Sequence, residues 1–118
     1  MKELVLHPKH KRAILTGKKV STVQLGKKLA KKFKRGKRLR LSIGMTDWKE
    51  RLAKAVITSV KVKRIGNLTK QDIAGGNPKT KTRKDLIKAL GFYYRKRLGR
   101  ELGMDDVVTV IKWRYIES

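Results

Sequence analysis

Hydrophobic positions recur every second residue in several stretches of this chain, a period that predicts strands. Residues 3–7, ELVLH, form a short one. Residues 19–25, KVSTVQL, are rich in β-branched side chains, with Val20, Thr22 and Gln24 on one face and Ser21, Val23 and Leu25 on the other. In KRLRLSI, residues 37–43, Leu39, Leu41 and Ile43 point inward while Arg38 and Arg40 point outward. A long strand is expected over about 53–65, with Val60 and Val62 facing in and Lys61 and Lys63 facing out, and a last strand over 107–115, VVTVIKWRY. Between the third and fourth strands, GMTDWKE (44–50) reads as a polar loop that carries Trp48.

Elsewhere the spacing is helical. Pro8 suits a first turn, where its missing N–H costs nothing, and the helix runs to Leu15 with Ala13, Ile14 and Leu15 as its apolar side and Gly17 as its C-cap. Thr69-x-x-Asp72 and Thr82-x-x-Asp85 have the form of capping boxes with Asp in place of Glu. The first opens a short helix closed by Gly75-Gly76; the second opens the longest helix, about 83–102, with Leu86, Ile87, Leu90, Tyr94 and Leu98 as its buried stripe and Gly103 as its stop. Residues 77–81, NPKTK, are a basic loop. No internal repeat or long linker interrupts the pattern, so residues 1–118 read as one mixed α+β domain.

Charge changes the picture most. Lys and Arg number 33 against 9 Asp and Glu, a net charge of +24, while 39% hydrophobic residues keep the composition globular. Such an excess repels itself within a compact state and points to an anionic partner, above all a phosphate polymer, whose neutralised phosphates release counterions. The stretch 27–40, KKLAKKFKRGKRLR, holds nine of the basic residues: Lys27, Lys28, Lys31, Lys32, Lys34, Arg35, Lys37, Arg38 and Arg40. Leu29, Ala30 and Phe33 can anchor a helical turn or two within it before Gly36 breaks it, and no acid is interleaved to spend the charge on ion pairs. Lys61, Lys63 and Arg64 extend this surface or make another, and Lys18, Lys79, Lys81 and Arg95 add to it.

Other chemistry is thin. There is no cysteine, so disulfides and thiolate metal sites are excluded. His7 and His10 lack a ligand set and read as solvated or capping residues; no metal or cofactor is expected. Asp105-Asp106 reads as a turn. No apolar run approaches the ~20 residues of a membrane span, and the N-terminus has no signal-type apolar region, so a cytoplasmic protein without a membrane role is expected. Two Asn and two Gln, with the heavy Lys and Arg load, suggest a thermophile. Of residues 92–94, Phe-Tyr-Tyr, at least one must be partly exposed; Trp48, in its polar loop, is the candidate for stacking on a base.

The segment Gly17-Lys18-Lys19-Val20-Ser21-Thr22-Val23-Gln24 resembles the ASCH domain family, relatives of the PUA RNA-binding barrels. The resemblance extends through the Gly36-Lys37-x-Leu39-x-Leu41 strand, Gly66-Asn67-Leu68-Thr69 and the closing VVTVIKW strand. It implies a small PUA-like β-barrel of ASCH type, with helices covering the barrel ends and a cleft beside the motif strand. Some ASCH proteins resemble amidohydrolases of N4-acetylcytidine, and others ribonucleases. The hydrolase motif, Gly-x-Lys-x-x-Thr-x-Arg, places its Lys and Thr on Lys19 and Thr22, but Gln24 stands where that motif has Arg, losing a fixed charge and a bidentate fork. The Glu that such enzymes use falls at Gly75–Gly76. These departures imply a binding protein rather than an enzyme, with a hydrolase using Lys19 and Thr22 as the rival. The expected partner is structured RNA, ribosomal RNA in an archaeon first and transfer RNA next, bound by a monomer; a sequence-neutral DNA-binding protein is the third alternative.

Overall fold

A computed structural model describes residues 1–77 and 79–116, together with the side chains of all of these except Tyr93. The expected strands form as β1 (Lys2–Leu6), β2 (Ser21–Leu25), β3 (Arg38–Met45), β4 (Trp48–Arg64) and β5 (Val107–Ile116). Their helical connections are α1 (Lys11–Leu15), entered through a 3-10 turn at Pro8–His10, α2 (Lys28–Lys32), α3 (Lys70–Ile73) and α4 (Arg83–Leu98).

The strands make one five-stranded sheet in the order β1-β3-β4-β5-β2, antiparallel except for β1 beside β3. This corrects the expected barrel. β1 pairs only with β3 and β2 only with β5, so the two are the edges of an open sheet and do not pair with each other. Nor do the helices cover barrel ends: α1 packs on β4, α2 on β4 and β5, and α4 on β2 and the Ile65–Asn67 turn. The sheet is instead buried on both faces. Leu4, Leu6, Ile14, Phe33, Leu39, Leu41, Ile43, Ile57, Ile111 and Trp113 form one core. Ile65, Leu68, Ile73, Leu86, Leu90, Leu102, Val108 and Val110 form the other.

Two-faced burial corrects part of the reading of β4: Lys61 is exposed as expected, but Lys63 is half-buried. Lys61 lies opposite Val110 and Lys63 opposite Val108, so both lysines share the face of the second core. There they meet the buried Asp72 carboxylate, at 3.9 Å from Lys61 and 2.8 Å from Lys63. Val60 packs toward the first core, but Val62, expected inward, is exposed. An irregularity between Ile57 and Ser59 shifts the register just before this segment.

Both capping boxes form, with Thr69 and Thr82 accepting from the amides of Asp72 and Asp85 while each Asp reaches back to its Thr. The longest helix stops earlier than expected, at Gly99, whose φ of +67° is a left-handed cap. Its last turn leaves Leu98 exposed, and a turn in which Arg100 and the Gly103 amide bind Asp106 leads into β5. Leu15, expected on the apolar side of its helix, is exposed too; only Ile14 of that five-residue helix is buried. The expected loop 44–50 is a hairpin, with Met45 paired to Trp48 across the two residues Thr46 and Asp47. Within the basic loop 77–81, Pro78 lies outside the described residues.

Candidate nucleic-acid interface

Lys19 sits where α1 hands the chain to β2, and its backbone is held on both sides. Its amide donates to the Ala13 carbonyl at 3.0 Å, and the Lys19 carbonyl accepts from the Tyr115 hydroxyl. Just beyond, the amides of Val20 and Ser21 both donate to Gly75 O, at 2.7 and 3.0 Å. Thus anchored, the Lys19 side chain is only 3% exposed and lines a cavity of about 90 Å³ with His10, Thr22, Gly76 and Leu90. That volume holds about three waters at ~30 Å³ each, well short of the ~300–1,000 Å³ of a ligand pocket. A second cavity of about 370 Å³ shares His10, Thr22, Val23 and Leu90 and adds Gln24, Tyr94 and Arg97. Val5 and Leu6 of β1 also line it, so it occupies the space between the sheet's two edges.

The cleft is cationic and poor in acids. Burial, reinforced by the charge of Lys9, brings the Lys19 ammonium down from its ordinary 10.5 to about 8. Burial, then the charges of Lys19, Lys9 and His7, brings His10 down from 6.5 to about 4, so at neutral pH its imidazole is uncharged. His10 stands at the N-cap position of α1, half-buried, but its side chain makes no cap hydrogen bond; His7 does cap, its Nδ1 accepting from the Lys9 amide at 3.1 Å. Among the described residues no carboxylate pairs with Lys19. Gly75 could not carry one: its φ is +84°, and a Cβ there would stand 2.6 Å from Val20 Cγ2. Asp72, the nearest acid in sequence, is committed elsewhere. Burial would raise its pKa, but Lys63 and the Thr69 cap outweigh that and hold it below the usual carboxylate value. Gln24 lies in the wider cavity, where Arg97 of α4 supplies a cation from another element. Sequence reading missed Arg97, although Arg97 follows Tyr94 by three residues and so shares its side of the helix.

The basic run 27–40 is a different kind of surface. Its short helix has no side-chain N-cap and is fixed by Phe33, 1% exposed, whose burial contributes roughly 1.5–3 kcal/mol. After it the chain is tied to β4 by Gly36 N to Ile57 O (2.8 Å) and Ile57 N to Lys37 O (3.0 Å). All the basic residues of the run are exposed except Arg40, which is half-buried. Lys32, Lys34, Lys37 and Arg38, joined by Lys2, surround a groove of about 500 Å³ with Phe33 and Ile57 in its lining. Arg40 opens on another cavity of similar size with Arg51 and Lys54. Lys32 lies 5.4 Å from the centre of the Phe33 ring, and Lys34 donates to Ala30 O at 2.8 Å. None of the nine forms an ion pair among the described residues.

The remaining expected residues scatter. Lys18, Arg64, Lys79 and Lys81 are exposed. Lys18 adjoins the Lys19 cleft, and Lys79 and Lys81 belong to the loop whose Asn77 and Thr80 line it. Arg95 pairs with Glu101 at 3.1 Å. Trp48 is 46% exposed, but it stands beyond the far end of the eight-residue β3, roughly 23 Å along the strand from Arg38. It does not share the groove of the basic run.

No protein-family profile and no curated protein matches the chain. Solved structures do match in fold. An ASCH domain from Lactobacillus crispatus JV V101 superposes with a TM-score of 0.68 at 16% identity, covering 97% of this chain and 79% of that one. A protein from Enterococcus faecalis V583 gives 0.65 at 10% identity, covering 92% and 70%. The solution structure of a protein from Pyrococcus furiosus gives 0.56 at 17% identity over the full length of both. The expected resemblance to ASCH domains therefore holds for the fold; it supports neither the archaeal nor the thermophilic expectation. No helix of the described residues is long and apolar enough to cross a membrane.

Proposed function

We propose that residues 1–118 act as one non-enzymatic RNA-binding domain, taking structured RNA, ribosomal or transfer, on the cationic surface of residues 27–40. One observation carries this reading. The ion pairs of the described residues engage Lys11, Lys49, Arg51, Lys61, Lys63, Arg95 and Arg100, and none engages the run. The acids that form ion pairs among the described residues, Glu3, Glu50, Asp72, Glu101 and Asp106, all meet cations outside the run, which leaves the densest cationic segment available to phosphates. Lys18, Lys79 and Lys81 add exposed charge beside the Lys19 cleft; Lys61 and Lys63, tied to Asp72, contribute less. The test is competition binding of purified protein with RNA and duplex DNA of equal length. Preference for RNA is the expected result, and equal affinity would favour the DNA-binding alternative.

A second reading has one observation behind it: burial leaves part of Lys19 unprotonated near neutral pH, beside Thr22, as a base for a hydroxyl nucleophile requires. Against it stand the absence of a carboxylate paired with Lys19 among the described residues and the need for a second group to protonate a leaving amine. No turnover of N4-acetylcytidine, free or within RNA, is expected. Turnover abolished in both Thr22→Ala and Lys19→Ala would establish the hydrolase instead.

A further inference from the structure

We propose that the outer face of α4, centred on Phe92, is a stacking platform for an unpaired base of single-stranded RNA. The proposal rests on the RNA-binding reading and adds a second contact of different chemistry. Phe92 is 84% exposed, more than any other large hydrophobic side chain among the described residues. The inner side of α4 is supplied by Leu86, Leu90 and Tyr94, and Phe92, two residues after Leu90, lies about 200° around the helix from it. The ring belongs to neither core.

Helical spacing puts cations around it. Lys88 precedes Phe92 by four residues, and Arg95 and Lys96 follow by three and four, so all three flank the ring on one side. Together with Ile87 and Gly91 they line a cavity of about 700 Å³, within the range of ligand pockets. Beside the ring, a Cβ added at Gly91 would meet nothing within 4 Å, so the helix surface there is open to a flat group.

Charge selects the occupant. Among the described residues Glu101 is the one acid lining the cavity, and it is engaged by Arg95 at 3.1 Å. A second copy of this chain would bring its own net charge of +24 to the contact and be repelled. A nucleotide satisfies both parts of the site: its base covers the Phe92 ring and its phosphate meets Lys88 or Lys96. A duplex hides its base faces, so the site discriminates in favour of unpaired strands.

The test measures the affinity of the whole protein, at one fixed salt concentration, for oligouridylate and for an RNA duplex of the same length. Phe92→Ala is expected to lose about tenfold on the single strand and less than twofold on the duplex. Phe92→Leu, which keeps apolar bulk without a π face, should behave like the alanine variant, whereas Phe92→Trp should restore binding. Unchanged single-strand affinity in the Ala and Leu variants overturns the platform and leaves the RNA-binding reading standing. Equal losses on both RNAs, or a reversible dimer that Phe92→Ala abolishes, overturn it as well. Failure of the unaltered protein to bind either RNA overturns the platform and the reading together.

Discussion

Lys19 and the lysines of residues 27–40 carry the same functional group in opposite settings. Lys19 is 3% exposed, beside a cavity that holds about three waters, and burial weakens its hold on its proton. The lysines of the run stand in solvent, Lys32, Lys34 and Lys37 of them around a groove of about 500 Å³. A buried ammonium is chemically versatile and costs stability; an exposed one is a point charge that costs little and is ready for a phosphate. Lys19 shares its cleft with Lys9, whereas the run gathers nine basic residues along one exposed segment.

The sharpest way to break the comparison is to discharge the run. Changing Lys31, Lys32, Lys34 and Arg35 together to Ser should weaken RNA binding at low salt by about a hundredfold and make the salt slope shallower by up to ~3, while leaving thermal stability nearly unchanged. Unaltered binding by the folded variant would move the site to the cleft or to α4.

The next effect belongs to Lys19 and concerns stability. A lysine brought from 10.5 down to about 8 by folding carries a penalty of roughly 3 kcal/mol when protonated at neutral pH. Since the unfolded chain binds the extra proton between about pH 8 and 10.5, stability should rise with pH across that window. Lys19→Met should therefore be more stable than the parent at pH 7, by up to that amount, and its advantage should shrink toward pH 10.5. Denaturant melts of both proteins at pH 7, 9 and 10.5 check this; a destabilised Lys19→Met at pH 7 would mean that the ammonium is satisfied in the cleft. The same substitution removes one of the charges acting on His10, so its titration, followed by NMR, should move up from about 4 while burial keeps it below 6.5.

Smallest is the effect of Thr22→Ala on RNA affinity. One neutral hydroxyl contributes about 1 kcal/mol, so affinity should stay within a few-fold. Lys19→Ala should cost somewhat more, because it removes a cleft charge.

Much of this was legible along the chain, and the failures share a cause. Arg38, Leu39, Arg40 and Leu41 alternate as their strand does, and both Thr-x-x-Asp boxes cap helices, because these are local patterns with local causes. Lys61 is exposed as expected, but Lys63 and Val62 were misread because alternation says which residues share a face, not whether that face meets water. Here α3 stands over it and offers Asp72. The barrel failed similarly: the strands were recoverable from their composition, but whether β1 and β2 meet is a long-range property. Trp48 looked like a loop residue because Thr46-Asp47 is short enough to be a turn and polar enough to hide the strands on either side. At the cleft, Lys19 and Thr22 were found through a motif, whereas His10 and Arg97 were not, since they arrive from a turn and a helix distant in sequence. Phe92 was visible only as one of three aromatics that could not all face inward, and the fold shows it turned outward.

The central claim is that exposed charge, and not the cleft, drives association. It is tested most directly by the affinity of the unaltered protein for single-stranded RNA measured across a salt series. A footprint of about six or more phosphates predicts a linear fall of log affinity against log salt with a slope near −4 or steeper. A slope shallower than about −2 would show that the cationic run is not what holds the RNA and would contradict the account.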